Sequence, residues 1–332
     1  MSDKTVPDAV ESKWPPLHSA IHRAGWGSYT LGDLRDLLKN GADIFQTADT
    51  HASTNTTVLH TAADGNAEIV DLLFEFGARD LLETKCGPGE EARFSGHTAL
   101  QIAAKEGCQD IVQKLIANGA NYDIFAAACC GDLERLHRLL NEDANLIFAR
   151  DDYHASALHW AAAQDQQDAA VFLIKGGIDV NSGDDFAETP LLVASARHSR
   201  GMVDTLLGDG AAVDIFAAAA LGDRTQLEEL SNVTPHLAVG RNSHGTTPLH
   251  WAARNGHVNT AKCLLERGAD IDAKDHIGCP PLFYAAYWGG HKTMTQFLCD
   301  GGADVDFHNI WGKDLGAYDC GGCGVDFSQY RR

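Results

Sequence analysis

No stretch of this sequence holds more than seven consecutive apolar residues, as in Ile124 to Cys130 and Ile215 to Leu221. Nothing here can span a bilayer, which needs about 20. The opening residues MSDKTVPDAVESKW are polar and hold no signal-peptide core. Cationic side chains are scarce: 26 Lys and Arg stand against 46 Asp and Glu, a net charge of −20. That balance argues against nucleic acid and anionic membranes as partners and favours a basic partner, although acidity is also a common solubility device. Regular cysteine spacing is missing as well. The nine cysteines are odd in number and scattered, with Cys263 and Cys299 at apolar helix positions. This is the usage of a reducing compartment, so the expected location is cytoplasmic and the Asn-x-Thr triplets at Asn55 and Asn232 read as chance matches. Also absent are a phosphate-cradling glycine loop followed by Lys-Ser or Lys-Thr and an HExxH pair. No cofactor is expected.

What is present is a repeated unit, clearest in GTTPLHWAARNGHVNTAKCLLERGADID from Gly245 to Asp272. Thr247 is a good N-cap, and Pro248 suits a first helical turn because its missing N–H would have no partner there. The pair Ala252 and Ala253 lets a neighbouring helix approach, and Gly256 supplies a tight turn. Val258, Ala261, Leu264 and Leu265 then share one face of a returning helix, which Gly268 ends. One such unit cannot bury its apolar face alone and must stack on copies of itself. The pattern resembles the ankyrin repeat. The resemblance implies an all-α repeat solenoid with β-hairpin fingers between its helix pairs.

Taking the Leu of the TPLH position or its substitute as a marker gives Leu17, Leu59, Leu100, Ile124, Leu158, Leu191, Ile215, Leu249 and Leu282. The spacings, 42, 41, 24, 34, 33, 24, 34 and 33, describe nine units in three triads, the last two aligned over a 91-residue period. At each 24-residue spacing a finger is missing, and Asp123 and Asp214 can cap the following helix directly. The row of fingers is therefore expected to have two gaps. The first triad carries extra residues near Trp26 to Asp33 and around Gly87 to Glu91. Residues 1–13 read as a disordered tail, 14–316 as the repeat solenoid and 317–332 as a C-terminal cap or tail.

His18, His60, His159 and His250 recur at the TPLH position, where the resemblance implies a structural hydrogen bond between repeats and no chemistry. The turn glycine of Gly96, Gly245 and Gly278 is His154 in one unit and Ala187 in another, which predicts different turns there, since a non-Gly residue at positive φ costs energy. His198 likewise replaces the glycine between two helices.

By analogy with the family, partners bind at the finger tips and at the two residues after each Ala pair, in the concave groove. In the second triad these are Cys129, Cys130, Gln164 and Arg197, with Tyr153, His154 and Phe186 at fingers. In the third they are Arg254, Asn255, Tyr287 and Trp288, with His244 and Ile277 at fingers. Aromatic and Arg side chains are enriched at binding hot spots, which places the interface in these two triads. The expected function is a non-catalytic protein-binding scaffold or adaptor using that groove. The alternative is a small-molecule-binding or catalytic array with a His, Cys and aromatic site, Cys129 and Cys130 lying one finger from His154. Cys320 and Cys323 have zinc-knuckle spacing, with His308 upstream, but a closed zinc site needs four ligands and no second pair follows, so a glycine-rich tail is the preferred reading.

Overall fold

The computed structural model describes residues 15–24, 27–49, 53–63, 65–88, 96–310, 312, 314–315 and 324–330. The expected tail at 1–13 lies outside these residues, as do Cys320 and Cys323. The described residues form nine helix pairs, from Pro16–Ala24 with Leu31–Lys39 to Pro281–Phe283 with Lys292–Asp300. All nine marker residues are buried, each at 4% exposure or less. The chain divides into two compact units, Met1–Ile178 with five helix pairs and Asp179–Arg332 with four.

Each first helix is short, seven residues in the regular repeats, so its caps carry much of its definition. Thr57, Thr98, Ser156 and Thr247 sit at N-cap positions in capping boxes whose third helical residue is His60, Gln101, His159 and His250. At His60, His159 and His250 the backbone N–H of the cap donates to Nδ1, at 3.1 Å, 3.1 Å and 3.0 Å. Nδ1 is therefore the acceptor, and Nε2 carries the proton. That Nε2–H donates to a carbonyl of the next repeat: His18 to Thr56 at 2.9 Å, His60 to His97 and His250 to Cys279 at 3.1 Å. The TPLH histidines thus link repeats, as the resemblance implied. At Asp123 and Asp214 the carboxylate itself caps the helix, accepting from Ala126 N–H at 2.9 Å and Ala217 N–H at 2.7 Å.

The expected β-hairpin fingers are not formed. Among the described residues strand pairing is limited to Ser53–Thr54 against Gly87–Pro88 and one isolated bridge between Ala48 and Thr56. Each finger in the regular repeats is instead a side-chain-closed turn. The first residue, Asp151, Asp184, Asn242 or Asp275, accepts two backbone N–H groups on one Oδ1, from residues two and four positions on. The N–H of each first residue also donates to the carbonyl four residues on, as from Asp151 to Ala155 at 3.0 Å and from Asp275 to Cys279 at 3.1 Å, while adjoining fingers meet through single bonds such as His276 N–H to the His244 carbonyl at 2.8 Å, too few for a ladder.

The expectation of different turns at His154 and Ala187 is also overturned. Their φ values, both 58°, match the left-handed turn of Gly96, Gly245 and Gly278 at 72°, 76° and 82°. His198 does the same at 56°. The Asx bonds over-determine the turn, and the non-glycine residues carry the strain.

Two expected outcomes test this account. Ala187→Gly should stabilise the protein by about 1 kcal/mol in denaturant unfolding, since glycine pays no Cβ penalty at this φ and only part of the gain is lost to chain entropy. The second concerns pH. Burial holds the His250 pKa down at about 3 and that of His60 at about 4, below the ordinary 6.5. A depressed pKa means that the stabilisation is present above pH 6.5 and lost as pH falls toward the folded value, because the unfolded chain takes up the proton first. In His250→Gln, which keeps the capping geometry that Gln101 already uses, the pH slope of unfolding stability between pH 4 and 6 should shrink by about 1.4 kcal/mol per unit. An unchanged slope would refute the assignment.

Candidate functional site

In the unit 179–332 the site grows from two sequence irregularities. The first is the fingerless repeat that starts at Asp214. Its first helix is Ile215–Leu221, with alanines at 217–220, so the middle of the helix lets its neighbours approach closely. The fingers on either side close over it: the Phe186 and His244 rings stack with centroids 3.7 Å apart and 22° between planes. At the other end of the helices, Asn255 donates to the Ser195 carbonyl at 2.9 Å and the Ala220 carbonyl at 2.7 Å. The expected gap in the finger row is thus bridged. Phe186 and His244 are spent largely on each other, and burial followed by the neighbouring His276 lowers the His244 pKa to about 4, leaving a neutral ring. Asn255 is 5% exposed and its amide is committed to two repeats.

The second irregularity is one extra residue. From Leu249 to the turn glycine Gly256 is seven residues, whereas from Leu282 to the corresponding Gly290 is eight. The helix absorbs the insertion as a π-helical turn, Tyr284–Trp288, with Gly289 N–H donating to the Tyr284 carbonyl at 2.9 Å. Single-turn π bulges of this kind are frequent at functional sites. The wider turn leaves Tyr287 and Trp288 each 43% exposed. Tyr287 stacks on the buried Phe283 at 5.1 Å, and Trp288 packs edge-on against Tyr284 at 4.3 Å. Tyr284 is fixed in turn by its hydroxyl donating to Asp275 at 2.8 Å.

Arg254 lies between these features, its guanidinium 5.6 Å from the Trp251 ring and 5.7 Å from that of Trp288. A side chain at Gly289 would collide with the Arg254 carbonyl, so glycine permits the close approach. Burial lowers the Arg254 pKa, Glu188 opposes that shift and Arg197 adds to it. Arg197 itself is exposed. Ile277 is half-buried, and its carbonyl accepts from Ile310 N–H at 3.0 Å in the next finger. Arg254, Tyr287, Trp288 and Arg197 are therefore the members of the expected set brought together with reach to solvent. Glu188 and the supporting role of Trp251 were missed in the sequence reading. The extra residue before Gly290 was a legible signal for the exposed aromatic pair.

The unit 1–178 holds a counterpart around Asp123. Across its fingerless repeat His97 stacks on Tyr153 at 6.3 Å, Lys85 pairs with Asp152 at 2.7 Å and Gln164 donates to the Lys105 carbonyl. His154 occupies an exposed turn. A cavity of about 250 Å³ opens here, lined by Lys85, His97, Gln101, Asp123, Phe125 and Asp151 among others. Its groups are engaged internally: Asp123 accepts from Gln101, and Asp151 accepts from the Trp160 indole at 2.9 Å. Cys129, Cys130 and His154 do not line it. Cys129 is buried, and burial raises the Cys130 pKa, the reverse of what a nucleophilic thiol needs. Among the described residues no group of three or more His, Cys, Asp or Glu could hold a metal ion, and His308 has no such companions.

Among known proteins, a family model agrees with this architecture. The family described as ankyrin repeats (3 copies) matches residues 17–126, 124–217 and 215–309. The human transient receptor potential cation channel subfamily A member 1 is 27% identical over 303 residues, covering 74% of this chain and 27% of the channel subunit. Human neurogenic locus notch homolog protein 1 is 31% identical over 156 residues, covering 43% of this chain and 6% of that protein. The chain thus spans about a quarter or less of the length of these two relatives. Among solved structures, the human ASB11 ankyrin repeat domain is 26% identical with a TM-score of 0.31, covering 65% of this chain and 88% of that one. With the family matched across nearly all of its nine helix pairs, this chain belongs to the ankyrin repeat family.

Proposed function

We propose that this ankyrin-repeat scaffold, a protein-interaction array and not an enzyme, engages its partner through the face of the unit 179–332 that carries Arg197, Arg254, Tyr287 and Trp288. The observation that carries the reading is the π-helical turn. It presents two large aromatic side chains at 43% exposure beside an arginine already held by two tryptophans. Leaving such surface in water is costly unless something covers it, and rigid aromatic and Arg anchors are the residue types that dominate binding energy. Of the groove residues expected from the sequence, Phe186, His244 and Asn255 support this face from within, while Tyr153, His154 and Gln164 belong to the counterpart region of the other unit.

The same reading places the protein in a reducing compartment, the cytoplasm. Seven described cysteines are all free thiols, Cys86, Cys108, Cys129, Cys130, Cys263, Cys279 and Cys299. No helix among the described residues is long and apolar enough to cross a membrane. A net charge of −20 disfavours a nucleic-acid partner and, taken over the whole chain, favours a basic protein.

The test is a double substitution, Tyr287→Ala with Trp288→Ala, compared with the native chain in affinity isolation from its own cells. Loss of a specific partner is expected, with affinity falling by about tenfold or more and the far-UV spectrum and melting curve retained. Recovery of the same partners at the same yield would dismiss this surface.

A further inference from the structure

We infer that the cluster of Arg197, Arg254 and Trp288 receives an acidic segment of a protein partner, with a carboxylate side chain seated between the two guanidinium groups. The inference rests on the reading of this face as the partner surface and specifies the chemistry that it recognises, which is opposite to the one the net charge favours.

The structure assembles positive charge here at a cost. Asn255 adjoins Arg254 in sequence, and its two hydrogen bonds fasten the end of that helix to the carbonyls of Ser195 and Ala220. Ser195 lies two residues before Arg197, so the same bonds bring Arg197 into electrostatic reach of Arg254, whose charge it disfavours. His198 and His291 stand beside them, their rings 6.0 Å apart and edge to face. His198 is lowered in pKa by burial, then by His291 and by Arg254. His257, packed over Gly222, belongs to the same group.

Little in the fold neutralises this cluster. Arg197 takes part in no ion pair among the described residues. Arg254 is held by ring faces, which attract a cation without cancelling its charge. The nearby acid is Glu188: burial and then Asp184 push its pKa up to about 7, against the Arg254 charge, which lowers it. It is therefore only partly charged near neutrality. In a chain with 46 acidic residues, gathering two arginines around one weak carboxylate leaves the positive charge under-compensated.

Local charge decides what docks. At physiological salt the screening length is about 8 Å, so the remote acids that make up the −20 act weakly on a group held within the cluster. A carboxylate there can meet planar guanidinium donors in bidentate fashion, in a site where Trp288 and Tyr287 exclude part of the water. An apolar residue beside that carboxylate in the partner would cover the exposed aromatic pair. A long polyanion would face the repulsion of the surrounding acids, which is why a short acidic protein segment fits better than nucleic acid.

The test uses the full chain and labelled decapeptides that share a central Trp and differ only in carrying Glu, Gln or Lys around it, with a dT decamer as a fourth probe, all read by fluorescence anisotropy. The Glu peptide should bind at least tenfold more tightly than the Gln and Lys peptides and than the oligonucleotide. Arg197→Gln, at an exposed position that leaves the fold intact, should weaken the Glu peptide by about tenfold and leave the Gln peptide unchanged. Preference for the Lys peptide or the oligonucleotide, no binding of the Glu peptide, or indifference to Arg197→Gln would each overturn the inference. If the double aromatic substitution abolishes partner capture while Arg197→Gln has no effect, the surface stands and its acidic specificity fails. If the aromatic substitution leaves capture intact, the surface itself fails.

Discussion

The neutral histidine at the start of the first helix is the link on which the array depends. Its two ring nitrogens do different work: Nδ1 accepts from the cap that starts its own helix, and Nε2–H donates to a carbonyl of the following repeat. A single buried ring thus couples helix initiation to repeat stacking. That is a demanding role for a titratable group, because a second proton would remove the Nδ1 acceptor. Burial prevents it by holding the pKa far below that of free histidine. Where Gln101 replaces the ring, its oxygen does the work of Nδ1 and its amide nitrogen donates to Asp123. The constraint is the pattern of one acceptor and one donor, and two residue types meet it.

The fingerless repeats are the second organising feature within each unit. Omitting a finger removes the polar turn that normally separates its neighbours, and the alanine-rich helix that remains lets them converge. In both units the convergence is bridged in the same way, by rings at the finger side and by an amide at the helix ends: His97 with Tyr153 and Gln164 in one, His244 with Phe186 and Asn255 in the other. Tyr153 and His244 are 91 residues apart, as are Gln164 and Asn255. The duplicated block carries one member of each bridge with it, while its ring partners, His97 and Phe186, stand at different positions of their fingers. This changes the meaning of several groove positions, whose aromatic and amide character serves internal closure before it serves any partner.

What remains available after closure is a small face in the unit 179–332, and it combines features that a stable fold does not require. A π-helical turn costs helix geometry, exposed aromatics cost hydration, and paired arginines cost Coulomb energy. Their coincidence around Arg254 is the physical argument for a surface that is completed by something else.

The sequence by itself determined the repeat. Apolar periodicity, caps and turn glycines are local signals, and local backbone preferences act the same way in every copy, so the nine units, their buried leucines and the directly capped helices at Asp123 and Asp214 were legible residue by residue. The tertiary structure decided the rest. Whether a finger extends into a strand pair or closes as a turn depends on how its N–H groups are shared out, and in the turns that begin at Asp151, Asp184, Asn242 and Asp275 one side-chain oxygen takes two of them. Whether His154 and Ala187 adopt a left-handed turn depends on bonds strong enough to outweigh a Cβ penalty, which composition cannot weigh. Which groove residues face outward was settled only by contacts across a skipped repeat, between residues 60 apart in the chain, as with the Asn255 amide and the Ser195 carbonyl. Spacing shows that a finger is missing; only packing shows what closes over its absence.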